Sequence, residues 1–281
     1  MSRLLYANFM RLKHDTCFRI CLLVMAGIGG YTPYGTYSTM QKYMAEDYVI
    51  PLENAFLPYI PLTVILSAAF CSLFIGTEFS DGTIRNKLMV GHLRTRVYLA
   101  NLIVCFAAAC MLSLAYIVPN LCMGILLLGF FRCGLEVIVF YAGCAVVLFA
   151  AVTAIYTIIA MLSQNRAVTA VLCTLGIVFM IFYGAYINAR LAEPEVYEGY
   201  VYVNEESGIY EEVESMPNPH YIEGKKRVVY EFLNDFLPGN QTVVLWQGMA
   251  VHLPVMSLYS CIIAIAVTGA GMICFQKEDI K

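Results

Sequence analysis

The sequence predicts an all-α polytopic membrane protein with six transmembrane helices, an N-terminal interfacial helix, a short helix in the cytosolic turn after the second span, and a structured outer loop between spans five and six. Three observations predict it. Of 281 residues, 60% are hydrophobic and only 13% charged, which is far from the balance of a soluble domain. Windows of about 20 apolar residues, the length that crosses roughly 30 Å of hydrocarbon, occur six times. They lie at about 17–37, 56–76, 97–119, 137–162, 167–189 and 252–275. The basic residues are also divided unevenly. With both termini inside, the cytosolic segments hold Arg3, Arg11, Lys13, Arg19, Arg85, Lys87, Arg94, Arg96, Arg166, Lys277 and Lys281, against six basic residues outside. The positive-inside rule therefore places both termini in the cytosol.

Residues 1–16, MSRLLYANFMRLKHDT, put Leu5, Phe9 and Leu12 at helical spacing and gather Arg11, Lys13 and His14 near the end, the pattern of a helix lying in the inner interface. The apolar run that follows is long for a cleaved signal and lacks an A-x-A site. A short outer loop, Tyr37 to Ala55, joins spans one and two. Apolar sequence continues from span three to Phe131, and Pro119 predicts a kink or break near Val118 because its missing N–H interrupts the helix ladder. A turn around Arg132 to Glu136 leads to span four, and Ser163 to Ala167, SQNRA, makes a tight cytosolic turn to span five.

The outer segment 190–251 is too long for a simple connector. GYVYVNEESGIYEEV reads as a hairpin about a turn at Asn204 to Gly208, and Val229, Phe232, Leu233, Phe236 and Leu237 share a helical face stopped by Pro238 and Gly239. Asn240-Gln241-Thr242 fits a glycosylation acceptor, a pattern so short that a structural role is expected instead. Tyr116, Tyr141, Tyr156, Tyr183 and Tyr186 read as interface belts. The 11 cysteines, with no C-x-x-C, read as packing residues.

The constellations of a membrane enzyme are missing from the sequence. The four histidines, His14, His92, His220 and His252, are dispersed, and there is no H-E-x-x-H, no G-x-S-x-G and no intramembrane acidic pair. No phosphate-binding loop with its Lys-Ser/Thr pair is present either. No catalytic, metal-binding or cofactor-binding residues are therefore assigned to this chain, and no nucleic acid partner is expected.

One polar island, residues 75–96, interrupts this apolar sequence. Gly76 is read as ending a helix, Glu78 as a carboxylate at the inner interface, and Ser80 or Asp81 as the cap of a new helix beginning at Gly82 and Thr83. Ile84 and Leu88 share a face, with Arg85, Asn86 and Lys87 on the others. Gly91 stops the helix, and Arg94 and Arg96 anchor the next span. The competing reading is a solvated positive-inside loop.

The stretch GTEFSDGTIRNKL resembles the G-x-E-x-x-x-G-T-[IL]-R-N-K-L segment between the second and third spans of ABC transporter permeases of the type-2 exporter class, with matches at Gly76, Glu78, Gly82, Thr83, Ile84, Arg85, Asn86, Lys87 and Leu88. The basic N-terminal segment, SQNRA, NPHYIEGKKRVVYEFLNDFLPGNQ and the terminal FQKEDIK agree with it. The resemblance implies that residues 78–93 form a coupling helix for a separate nucleotide-binding subunit. Ile84 and Leu88 would seat in its groove, Arg85 and Lys87 would pair with acids on the rim, Glu78 would tie helix to span, and Gly82 would permit the tight turn. It further implies ATP and Mg on that partner rather than on this chain, which would be no enzyme itself. Two ATPase subunits, a second permease (an identical copy or a sister chain) and a bacterial plasma membrane complete the expectation. The alternatives are a polytopic scaffold or receptor without transport, and a permease dedicated to antimicrobial-peptide self-protection. The transported substrate is not legible in the residues.

Overall fold

A computed structural model describes residues 1–43, 50–203 and 210–278. Its elements run α1 (Ser2–His14), α2 (Thr16–Tyr43), α3 (Leu52–Phe56), α4 (Tyr59–Ser80), α5 (Thr83–Met89), α6 (Arg94–Leu128), α7 (Leu135–Ser163), α8 (Arg166–Ala192), β1 (Val196–Tyr197), β2 (Tyr200–Val203), β3 (Tyr210–Val213), β4 (Met216–Pro217), α9 (Gly224–Phe236), α10 (Pro238–Gln247) and α11 (Leu253–Lys277). Among the described residues, six helical stretches are long and apolar enough to cross a membrane: α2, α3 with α4, α6, α7, α8 and α11. These are the six spans expected from hydropathy, with longer ends. The spans of α4 and α7 are the most buried, whereas α2, α8 and α11 leave most of their surface outside the bundle. In lipid an outward apolar surface needs no protein cover, because the tails are as apolar as leucine.

The seam between α2 and α6 shows how proline is accommodated. Pro33 has no N–H to offer Gly29 O, its partner one turn back. That carbonyl accepts instead from Asn120 Nδ2 at 3.2 Å and Thr32 Oγ1 at 3.3 Å. Asn120 Nδ2 also donates to Ala55 O at 2.9 Å, as does the Tyr116 hydroxyl at 2.8 Å, closing the end of the short helix α3. Gly29 makes the close approach feasible, since a Cβ there would stand 2.3 Å from Tyr116 O. Of the kink or break expected near Val118, the break does not occur: α6 runs unbroken through Pro119 from Arg94 to Leu128. Packing of α2 along α6 outweighs one lost hydrogen bond, as in other proline-containing spans.

Three of the five tyrosines read as interface belts are inside the bundle. Tyr116, Tyr141 and Tyr156 are buried, and Tyr156 donates to Val64 O at 3.1 Å; only Tyr183 and Tyr186 face outward. Tyrosine residues spaced along a span do not by themselves say which side they face, since a buried hydroxyl needs only one carbonyl to be satisfied. The cysteines are free thiols, with Cys71, Cys105 and Cys173 fully buried in the core.

Between α8 and α11 the chain forms two short antiparallel ladders, β1 with β4 and β2 with β3, the second pairing Tyr200 with Val213 and Val203 with Tyr210. The turn read at 204–208 lies outside the described residues. Asn218 closes the base of the ladders, its side chain donating to Pro194 O at 2.8 Å and Glu193 Oε2 at 3.0 Å. α9 ends at Phe236, stopped just before Pro238 and Gly239 as expected, and these two residues then start a new helix. Every residue of α10 from Pro238 to Leu245 is buried. Its first turn reaches the middle of α8, where a Cβ on Gly239 would meet Met180 O at 2.4 Å and one on Gly184 would meet Asn240 Cα at 2.8 Å. Asn240 is 0% exposed, so the acceptor pattern around it is a packing feature. Gln241 Nε2 bonds Asp235 O at 2.7 Å and Met256 O at 3.1 Å, fixing α10 to both its neighbours in sequence.

The SQNRA turn is built on one side chain. Gln164 takes a left-handed φ of 50°, and Asn165 Oδ1 then accepts from Ala167 N at 2.9 Å and Val168 N at 3.3 Å. Asn165→Ala removes this N-cap of α8 and is expected to cost about 1 kcal/mol. Equilibrium unfolding in mixed micelles measures it, and Asn165→Asp, which keeps the acceptor, should stay close to wild type.

Candidate functional site

The polar island folds around Glu78. The helix α4 continues through Gly76, which serves as a contact and not a stop: a Cβ there would lie 2.9 Å from Arg166 Cα at the start of α8. The turn comes at Gly82, whose φ of 67° is open to glycine at little cost. Neither Ser80 nor Asp81 caps α5; Gly82 holds the N-cap position without a side-chain bond, and Thr83 Oγ1 reaches back to Glu78 O at 3.1 Å. At the other end Gly91, with φ 94°, donates to Leu88 O at 2.9 Å while His92 N donates to Lys87 O at 3.2 Å. This paired reversal terminates a helix cleanly. The result is a two-turn helix held across the end of the bundle.

Glu78 is 1% exposed, and four helices meet on its carboxylate. Oε1 pairs with both Lys87 Nζ of α5 and Arg11 Nη1 of α1. Oε2 accepts from Asn101 Nδ2 of α6 at 2.8 Å. Asn101 Oδ1 accepts from Asn8 Nδ2 at 2.7 Å, and Asn8 Oδ1 accepts from Lys87 Nζ at 2.9 Å, so the circuit Glu78, Asn101, Asn8, Lys87 closes on itself. The direction of each amide is dictated by this circuit: a flipped Asn101 would aim an acceptor at a carboxylate. Arg11 extends the circuit along α4, bonding Thr77 Oγ1 at 2.7 Å and Phe74 O, with its Cζ 3.9 Å above the Phe74 ring centre. A buried carboxylate is costly unless paired and fully hydrogen-bonded, and here both oxygens are satisfied.

The face that α1 turns inward is Leu4, Asn8 and Leu12, not Leu5, Phe9 and Leu12. Phe9 is outside with Tyr6 and Met10, so α1 carries apolar groups on two sides of its axis. Arg94 meets the last turn of α11 rather than lipid, donating to Phe275 O and Gln276 O at 3.2 Å and to Glu278 O. A cation at a helix C-terminus satisfies carbonyls that have no intrahelical donor and complements the dipole.

The eight residues assigned to this segment do not share one face. Glu78, Ile84 and Lys87 face the chain's own interior; Ile84 is 1% exposed within the main core, and the apolar side of α5 is used inside the protein. Leu88 is half-buried against Leu4, Val97 and Ala100. Arg85 and Asn86 are exposed, and Gly82 and Thr83 form the turn. Beyond them Met89, Val90 and Leu93 stand 76%, 79% and 57% exposed, an apolar tip next to Arg85 that the sequence reading did not single out. The run LMVGHL carried the signal, because amphipathic spacing cannot place three apolar side chains in succession on one buried face.

The arrangement ties α1, α4, α5 and α6 together and leaves the tip of α5 outward. Among the described residues no group of three His, Cys, Asp or Glu side chains converges as a metal site would. In comparison with known proteins, no family model matches the chain and no curated protein matches its sequence. Fold and site together define a multi-pass α-helical membrane protein with a charged four-helix joint at one end of its bundle.

Proposed function

We propose that the chain is the permease subunit of an ATP-driven exporter of the type-2 ABC class, with α5 as the coupling helix of a separate ATPase subunit. In this reading α1 lies in the cytosolic interface, both termini are cytosolic, and the segment between α8 and α11 is external. A second permease and two ATPase subunits complete the transporter, in a bacterial plasma membrane. The supporting observation is the joint on Glu78. A force delivered to α5 passes through Lys87 and Glu78 to α4, through Asn101 to α6 and through Asn8 and Arg11 to α1, so two spans receive it together. The docking surface is the outward part of α5 and its turn: Arg85, Asn86, Met89, Val90 and Leu93. Its apolar centre and basic edge suit a groove with acidic groups on its rim.

The test is co-expression with candidate nucleotide-binding subunits. The wild-type chain should copurify with its partner and stimulate vanadate-sensitive ATP turnover. Arg85→Glu, an exposed change, should leave membrane insertion and thermal stability intact yet lower the stimulated turnover roughly tenfold, the order expected when a steering charge at an interface is reversed. Full stimulation by Arg85→Glu would remove α5 as the docking element, and a chain that binds no ATPase would be a scaffold or receptor.

A further inference from the structure

The helix α9 is amphipathic, yet it is turned the wrong way round for a helix in water. Arg227, Glu231, Asn234 and Asp235 follow one another at helical spacing on one side, and that side lines a cavity of about 220 Å³ against the last turns of α8, Val244 of α10 and the turn before α11. On this inner side Arg227 Nε donates to Glu231 Oε1 at 3.1 Å, and Asp235 Oδ2 meets His252 Nδ1 at 3.2 Å. The other side carries Val228, Val229 and Phe232, which are 65%, 53% and 48% exposed, and no residue of α9 is buried. A surface helix of a soluble protein does the reverse, with its apolar stripe on the core and its charges in water.

The outward apolar face runs on into a membrane-length helix. The rings of Phe232 and Phe236 stack at 5.2 Å, and both meet Tyr259 of α11 edge-on, at 5.8 and 5.6 Å between centroids. Tyr259 shares its stripe of α11 with Val255, Leu258 and Ile262, all exposed on one of the six apolar spans. From Leu253, the first residue of α11, to Tyr259 is about 9 Å along the axis at a helical rise of roughly 1.5 Å per residue. Interfacial helices sink their apolar faces to a similar depth, roughly 5–10 Å.

The charges agree with this placement. Lys225 and Lys226 stand in the first turn of α9, exposed and without an ion pair among the described residues. Cations at that end oppose the helix dipole, so stabilising the helix does not account for them. Lys225 is one turn from Val228 and Val229, on the apolar side, where a long stem lies along lipid while the ammonium reaches the headgroups. Of the acids nearby in sequence, Glu231 and Asp235 are engaged on the inner side and Glu223 stands exposed just before the helix.

We propose that α9 is a membrane-inserted interfacial helix, with Val228, Val229 and Phe232 in the acyl boundary of one leaflet and Lys225 and Lys226 on phospholipid phosphates. Lipid is the occupant because the face is continuous with the outward side of a span, which the bilayer already covers. The surface is independent of the docking surface on α5, so its failure would leave the exporter reading untouched.

Trp246 is the single tryptophan, and Trp246→Phe leaves a background in which one new indole reports alone. In that background Val229→Trp would be read in the full chain, in nanodiscs of phosphatidylcholine brominated either near the headgroup or near the chain end. Ile265→Trp, outward in the middle of α11, supplies the deep reference. Emission of Val229→Trp should fall about twofold with bromine near the headgroup and less with bromine near the chain end, and Ile265→Trp should show the opposite order. Phe232→Trp repeats the measurement one turn along, so a single misfolded variant does not decide the outcome. Lys225→Glu combined with Lys226→Glu should cut the quenching of Val229→Trp by about half, because the anchoring charges at the surface are reversed. No quenching of Val229→Trp or Phe232→Trp in either lipid, the result if a second copy of the chain covered this face, would overturn the proposal. Unchanged quenching in the double lysine variant would remove the phosphate contacts from it.

Discussion

Glu78→Ala should destabilise the protein by about 3 kcal/mol, the lower part of the range for removing one partner of a buried ion pair. The loss is large because the carboxylate is the only anion in the joint, and its removal leaves two cations facing each other across α1 and α5. It falls short of the maximum because both cations retain some access to water: their side chains are 30% exposed for Arg11 and 17% for Lys87. Asn101 Nδ2, fully buried, loses its acceptor at the same time. Glu78→Gln should lie between wild type and alanine, since it keeps an acceptor for Asn101 and loses the charge. The distinguishing measurement is a double-mutant cycle with Lys87→Met. If the joint is one coupled unit, Lys87→Met must cost much less in the Glu78→Ala background than in wild type, because the unmatched cation is then gone. Additive effects in reversible unfolding from micelles would show instead that the two residues stabilise the chain separately.

The spans were legible because a bilayer imposes a length and a composition, and both survive whatever the packing does. Helix continuity was less so. Pro119 carries the local signal of a break, but the decisive fact is the partner surface of α2, which lies some 90 residues earlier in sequence. In the same way Asn120 answers the carbonyl freed by Pro33, a pairing visible only once α2 and α6 are side by side. Around the joint, residue types were readable and directions were not. A lysine in a short cytosolic-looking helix suggests a solvated charge, yet Lys87 turns inward because Glu78 and Asn8 wait for it. Two asparagines in otherwise apolar faces, Asn8 and Asn101, were the available hint, since a polar group on a packed face needs a partner there. The segment NQT in α10, read as structural, is buried as that reading expects: an apolar environment is no obstacle to Gln241 and Thr242 when Met256 O and Pro238 O accept from them.

Gly239→Ala should cost about 3 kcal/mol, at the upper end of what overpacking a close contact usually does. The added Cβ would stand 2.4 Å from Met180 O and 2.5 Å from Met180 C, backbone atoms in the middle of α8 that no rotamer change can move. The first turn of α10 must therefore back away from α8. Gly184→Ala presses the same contact from the other side, 2.8 Å from Asn240 Cα, and should act in the same direction. Gly143→Ala is the contrast: its Cβ meets nothing within 4 Å on the outside of α7, and a helix gains up to about 1 kcal/mol from that exchange. Opposite signs for the same chemical change would separate contact from helix propensity. The damage should also have a defined reach. Gln241 ties α10 to α11 through Met256 O, so hydrogen exchange should accelerate across residues 241–245 and at the beginning of α11. Amides around Glu78, Asn101 and Lys87 belong to the far end of the bundle and should keep their protection. Uniform acceleration at both ends would mean that α10 is part of a single cooperative fold rather than a wedge seated between α8 and α11.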